Sequence, residues 1–84
     1  MADVKVYTTS FCPYCVAAKN FLKERGISFQ EIDLSDKPDE LRALKARTGL
    51  STVPQIFFND KLIGGFTDMR ALEEDGKLDS LLKG

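Results

Sequence analysis

From Val4 to Thr8 apolar and polar positions alternate along Val-Lys-Val-Tyr-Thr, and this period of two predicts a first strand. From Pro13 the period lengthens. Val16, Ala17, Phe21 and Leu22 set out an apolar stripe at helical spacing, and Lys19, Lys23 and Arg25 gather where cations suit the helix dipole. Gly26 predicts the stop. Ile27 to Leu34 returns to strand composition, with Glu31 and Asp33 predicting a partly exposed edge. A strand–helix–strand unit of this length leaves its two strands parallel.

Ser35-Asp36-Lys37-Pro38-Asp39-Glu40 combines cap residues, a first-turn proline and acids, and predicts a second helix that Leu41, Leu44 and Thr48 carry to Gly49. Its apolar stripe is narrower than the first. After a loop over Ser51-Thr52-Val53-Pro54, the segments Gln55-Ile56-Phe57-Phe58 and Lys61-Leu62-Ile63-Gly64 flank Asn59-Asp60, a two-residue hairpin turn. Gly64-Gly65-Phe66-Thr67-Asp68 leads into a third helix with Thr67 or Asp68 as cap and Met69 and Leu72 inward. Gly76 breaks it, and Leu78, Leu81 and Leu82 make a last amphipathic turn or two. The order β-α-β-α-β-β-α predicts an α/β fold: a four-stranded mixed sheet in order 2-1-3-4 with helices on both faces, one domain over residues 1–84. In that topology the end of the first strand lies beside the loop leading into the third, so Val53-Pro54 faces the start of the first helix.

Composition narrows the function. Hydrophobic residues at 43% and charged ones at 30% describe an ordinary globular chain. Twelve basic residues against thirteen acidic ones form no basic stripe, which argues against a nucleic-acid partner. No apolar run reaches membrane-spanning length, and the strand pattern begins by Val4 without a secretory leader. Two cysteines in such a chain predict a reducing, cytoplasmic compartment.

Those two cysteines carry the chemistry. Cys12-Pro13-Tyr14-Cys15 stands between the first strand and the first helix. Cys12 falls at the N-cap, where unpaired N–H groups and the dipole stabilise thiolate, and Pro13 fits the first helical position without wasting a donor. Cys15 follows one turn later on the same side, within reach of a disulfide. An attacking thiol with a resolving thiol behind it is a thioredoxin-like redox motif. The bland reading is two buried cysteines acting as small hydrophobes. A mononuclear metal site lacks ligands, because the chain has no histidine and only two thiols.

Cys12-Pro13-Tyr14-Cys15, Thr52-Val53-Pro54 and Gly64-Gly65-Phe66-Thr67-Asp68, in this order and spacing, resemble the dithiol glutaredoxins, particularly the small bacterial kind, over essentially the whole chain. The resemblance implies a thioredoxin-like fold, a cis peptide before Pro54, and a monomeric glutathione-disulfide oxidoreductase acting in cell redox homeostasis. It implies a glutathione groove made by the three motifs together, Thr52 and Gly65 included. Val53 would offer backbone groups to the cysteine part of glutathione, as a short strand pairing does. Thr67 and Asp68 would hold the γ-glutamyl end, Arg47 the glycine carboxylate, and Tyr14 would line the groove. Many relatives carry a lysine a few residues before the first cysteine; here Thr8-Thr9-Ser10-Phe11 stands instead, which implies weaker glutathione binding and thiolate stabilisation.

Cys12 would then be the nucleophile and Cys15 the resolving thiol toward protein disulfides and glutathione mixed disulfides. The partners implied are glutathione and oxidised proteins, with ribonucleotide reductase admitted among them. Two other classes stay open on the same motif: a hydrogen donor driven by thioredoxin reductase, and an iron–sulfur carrier sharing a cluster between two chains. For Phe57, Phe58 and Phe66 a place in the core or on the sheet faces is expected. Phe11 flanks Cys12, at a place where a partner would dock.

Overall fold

Period two does its work in β1, Val4–Thr8: Val4, Val6 and Thr8 are buried while Lys5 and Tyr7 are half-buried on the opposite face. The computed structural model describes residues 3–83. After β1 come α1 (Pro13–Glu24), β2 (Gln30–Asp33), α2 (Pro38–Thr48), β3 (Gln55–Phe58), β4 (Lys61–Gly64), α3 (Phe66–Glu74) and α4 (Leu78–Lys83). The sheet order is β2-β1-β3-β4, as the sequence predicts. β1 runs parallel to β2, with Val6 opposite Glu31, and antiparallel to β3, with Val6 opposite Ile56. Asn59 and Asp60 close the β3–β4 hairpin at φ 51° and 65°, the paired left-handed geometry that matches strand twist.

One face of the sheet holds the core. Val4 and Val6, with Ile56 and Phe58 of β3, pack against Ala18, Phe21 and Leu22 of α1 and Met69 of α3. Arg25 ties the two helices at their C-terminal ends, forking onto the Glu73 carboxylate while its guanidinium lies 3.6 Å over the Phe21 ring. On the opposite face Ala43 and Leu44 of α2 approach Tyr7 and Ile32. β2 is the expected edge, with Gln30, Glu31 and Asp33 all exposed.

Four details differ from the sequence expectations. The buried stripe of α1 is Cys15, Ala18, Phe21 and Leu22, while Val16 is 51% exposed. Counting Cys15 as an apolar core residue restores the helical spacing. Strand geometry covers only Gln30–Asp33, and Ile27 and Phe29 before it fill the margin of the core instead. Neither Ser35 nor Asp36 caps α2; Lys37 occupies that position without a side-chain bond, because Ser35 bonds Asp33 and Ser10. α3 begins two or three residues early: Gly65 is its N-cap, Thr67 the second helical residue, and Asp68 reaches back from the third to accept the Gly65 N–H at 2.9 Å.

Burial sets the first prediction. Leu22→Ala should lose about 2–5 kcal/mol of unfolding free energy, whereas Val16→Ala should stay within about 0.5 kcal/mol of the parent. Denaturant titration checks both, and a comparable loss at Val16 would contradict the stripe. The second prediction concerns pH. Glu31 accepts bonds from Lys19 Nζ at 3.0 Å and Thr8 Oγ1 at 2.9 Å, and these, Lys19 first, hold its carboxyl below the usual value of 4.5. A depressed folded pKa stabilises above the unfolded value, and that stability disappears as pH falls through the folded one. Glu31→Gln should therefore be less stable at neutral pH and converge with the parent below 4.5. Equilibrium unfolding at about pH 7, 4 and 3 measures the gap; a constant gap would remove the electrostatic account.

Candidate active site

The core that seats Ala18 and Leu22 also fixes where α1 starts. Cys12 is its N-cap, in extended backbone at φ −115° and ψ 99°, and Pro13 begins the helix. The Cys15 N–H donates to Cys12 Sγ at 3.1 Å. No acidic residue sits in this first turn to oppose a negative sulfur. The two sulfurs are bonded as a disulfide, with Cα atoms 5.2 Å apart. Their surroundings differ sharply: Cys12 is half-exposed, while Cys15 is 2% exposed and faces the core. The helix start therefore presents one sulfur outward and keeps the other behind it.

The loop before β3 supplies the opposite wall. Cys12 Sγ lies 3.6 Å from the Val53 carbonyl oxygen; a disulfide sulfur has no proton, so this is a contact that becomes hydrogen-bonding distance in the thiol form. The Val53–Pro54 peptide is cis, Val53 is half-buried and Pro54 buried. Thr52 is exposed, but its carbonyl accepts from Gln55 Nε2 at 3.2 Å, and the same amide holds the Leu50 carbonyl at 3.1 Å. Gln55 is fully buried, and its Oε1 has no partner among the described residues. It is the positioning residue that sequence reasoning missed. A polar residue opening a buried strand was the available signal.

The start of α3 completes the rim. A Cβ built on Gly65 would stand 3.7 Å from the Pro54 carbonyl oxygen, so the two segments run side by side. Gly64 has φ +119°, and a Cβ there would meet Asp68 Cγ at 2.9 Å, which makes glycine a requirement. Cys12, Val53, Pro54, Gly65 and Asp68 thus form one continuous run of neighbours. Thr67 and Tyr14 are exposed, each in the first turn of its helix. Arg47 stands apart from this run: its guanidinium lies 5.7 Å over the Phe57 ring, in a cleft with Lys5 and Tyr7 on the α2 face.

Phe11 is also set apart. It holds a left-handed backbone at φ 58°, a conformation that costs a bulky residue about 1–3 kcal/mol. Its loop is pinned by the Ser10 N–H donating to Ser35 Oγ at 2.6 Å, and Ser35 in turn donates to Asp33. Among the described residues no group of three or more His, Cys, Asp or Glu side chains comes together to hold a metal, and no helix is long and apolar enough to cross a membrane.

Comparison with known proteins agrees with this geometry. A family model described as glutaredoxin matches residues 4–63. A glutaredoxin of Pseudomonas aeruginosa is 46% identical over 82 residues, covering 98% of both chains. Glutaredoxin 3 of Escherichia coli is 45% identical over 83 residues, 99% of this chain and 100% of that one. Among solved structures, a glutaredoxin from Brucella melitensis superposes with a TM-score of 0.88 at 48% identity, covering 99% of this chain and 90% of its own. A buckwheat glutaredoxin–glutathione complex gives 0.89 at 32% identity, covering 98% and 77%. On the whole-length match and the placement of its cysteine pair, the chain belongs to the glutaredoxins, thioredoxin-fold enzymes that carry out glutathione-dependent thiol–disulfide exchange.

Proposed function

We propose that this chain, acting as a single-domain monomer in the cytoplasm, reduces glutathione mixed disulfides and protein disulfides at the expense of glutathione. Cys12 is the nucleophile and Cys15 the resolving thiol. The observation that carries the assignment is the contrast at the α1 start: the half-exposed sulfur accepts a helix N–H, and the other is shut against the core. Thiolate rather than thiol attacks a disulfide, and a positive helix end favours the thiolate.

With a glutathione mixed disulfide, Cys12 thiolate attacks the glutathione sulfur. The substrate thiol leaves, and reduced glutathione then attacks the Cys12–glutathione bond to give glutathione disulfide. With a protein disulfide, Cys12 forms the mixed disulfide, Cys15 attacks it, the reduced protein leaves, and glutathione reopens the Cys12–Cys15 bond. Glutathione would lie along the run from Cys12 to Asp68, the Val53 backbone pairing with its cysteine part over the edge that Thr52 and Pro54 frame.

At the α3 start a glycine N-cap leaves the Thr67 and Asp68 N–H groups without a side-chain acceptor, and these donors suit the γ-glutamyl carboxylate. The Asp68 oxygen not spent on Gly65 suits its ammonium, and Gly65 lets the ligand approach the backbone. Tyr14 would line the near end. Pairing Arg47 with the glycine carboxylate would take its side chain off Phe57.

Three measurements test this reading. In the reduced protein Cys12 should alkylate well below the pH at which a free thiol of pKa about 8.5 reacts, with Cys15 far slower; equal rates would sink the assignment. Cys15→Ser should keep glutathione mixed-disulfide turnover and lose most protein disulfide reduction by the two-thiol route, while Cys12→Ser should lose both. Survival of Cys12→Ser alone would reverse the roles. For the groove, Asp68→Asn keeps an acceptor for the Gly65 N–H but removes the charge. The KM for glutathione should rise about threefold to tenfold with the unfolding midpoint unchanged. Should the midpoint fall and KM stay level, Asp68 is only a helix cap.

A further inference from the structure

Cys12 has a second flank. Between the β1–α1 loop and β2 lies an open cleft of about 530 Å3, lined by Phe11, Cys12, Cys15, Val16, Glu31 and Asp33 among others. None of Val53, Pro54, Gly65 or Asp68 lines it. Sheet order explains the separation: β2 lies on one side of β1, and the loop leading to β3 lies on the other. The two clefts therefore approach the same sulfur from opposite sides.

We propose that this cleft docks the protein half of a disulfide substrate, Phe11 entering an apolar hollow of the partner and Asp33 facing a basic residue beside the partner's reactive cysteine. The inference rests on the reading of Cys12 as nucleophile. Phe11 is 104% exposed, and the Ser10–Ser35–Asp33 bonds hold its loop in a left-handed conformation that bulky residues avoid. A ring kept in water by an unfavourable backbone contributes nothing to this core. It is a preformed anchor of the kind that dominates protein interfaces. Val16, one turn into α1 and half in water, extends the apolar surface toward the cysteines.

Charge selects the partner. Lys19 neutralises Glu31, whereas Asp33 bonds Ser35 and forms no salt bridge among the described residues, so the cleft keeps a negative edge. Protein cysteines that oxidise readily are those whose thiolate is stabilised by a neighbouring Lys or Arg. The basic group that makes such a cysteine reactive is the one this edge attracts.

The chemistry needs both flanks. When glutathione resolves a Cys12–partner disulfide, its thiolate forms a bond to Cys12 Sγ as the bond to the partner sulfur breaks. The electron pair leaves on the partner sulfur, which takes a proton from water, so one disulfide replaces another. In-line displacement sends the leaving sulfur out opposite the incoming one. With glutathione on the Val53 side, the partner departs on the Phe11 side.

The test compares two peptides, each closed by one disulfide, with Leu-Lys or Leu-Glu beside the attacked cysteine, and a small substrate, the mixed disulfide of glutathione and cysteine. Phe11→Asn is the variant, because Asn accepts the left-handed backbone and so preserves the loop. Its kcat/KM on the Leu-Lys peptide should fall about tenfold, with the small substrate within about twofold of the parent. The parent should prefer Leu-Lys to Leu-Glu by about twofold to fivefold, a preference that shrinks with added salt. Loss on all substrates alike, or on none, overturns the docking role of Phe11. Equal rates on the two peptides overturn the charge selection by Asp33. A parent enzyme inert toward the small mixed disulfide would refute the proposed function itself, independently of both peptide results.

Discussion

The hydrogen bond from the Cys15 N–H to Cys12 Sγ depends on where α1 is anchored, and much of the site depends on that bond. Ala18 and Leu22 are fully buried against Val4, Val6 and Ile56, so α1 cannot slide along the sheet without emptying part of the core. The helix must then begin where β1 releases the chain, and Pro13 makes the beginning abrupt. A sulfur at that N-cap sits over peptide donors that no other group of the helix uses. Packing remote from the cysteines is thus converted into a reactive atom held in one place.

Two helix starts, not one, border the run of neighbours from Cys12 to Asp68. α1 begins at a cysteine and α3 at a glycine, and neither N-cap carries the Ser, Thr, Asp or Asn oxygen that usually fills this position. Each leaves positive backbone ends turned toward a shared rim, joined through Val53 and Pro54. An anionic sulfur suits the first and a ligand carboxylate the second. Asp68 reaches back to stabilise the glycine start, which allows α3 to form with no side chain at its N-cap. The glycine at Gly64 is demanded by the same carboxylate, since a side chain there would displace Asp68.

The sheet order, the edge position of β2, the hairpin turn and the N-cap cysteine were all legible in the sequence, because each rests on local periodicity or on residue types with few conformational options. What escaped reading has a common cause. Cys15 reads as chemistry rather than as part of the apolar stripe, yet it is buried where the periodicity places Val16, which is exposed. Ser35 reads as a cap for the helix that follows it, whereas it bonds a residue of another loop 25 positions away in sequence. Gln55 holds the Leu50 and Thr52 carbonyls from inside the core, a role that only tertiary placement reveals. Motif order foretells that Cys12, Val53, Pro54 and Gly65 stand together, but motif spacing says nothing of where the Arg47 side chain rests, over Phe57 on the α2 face.

Burial, finally, gives two chemically identical side chains different access to a partner. A sulfur shut against the core cannot meet a bulky disulfide, which is the ground for proposing Cys12 for the first encounter. Once a partner is attached there, Cys15 is the thiol already within reach, and intramolecular attack needs no second encounter. On the proposed reading glutathione competes with it from the Val53 side, where the rim leaves Cys12 half-exposed even while Cys15 stays covered. The choice between the one-thiol and two-thiol routes therefore depends on how long a partner remains bound beside Cys12. On the proposed reading a mixed disulfide leaves glutathione itself on Cys12, to be resolved by a second glutathione, whereas a partner protein held there gives Cys15 time to attack.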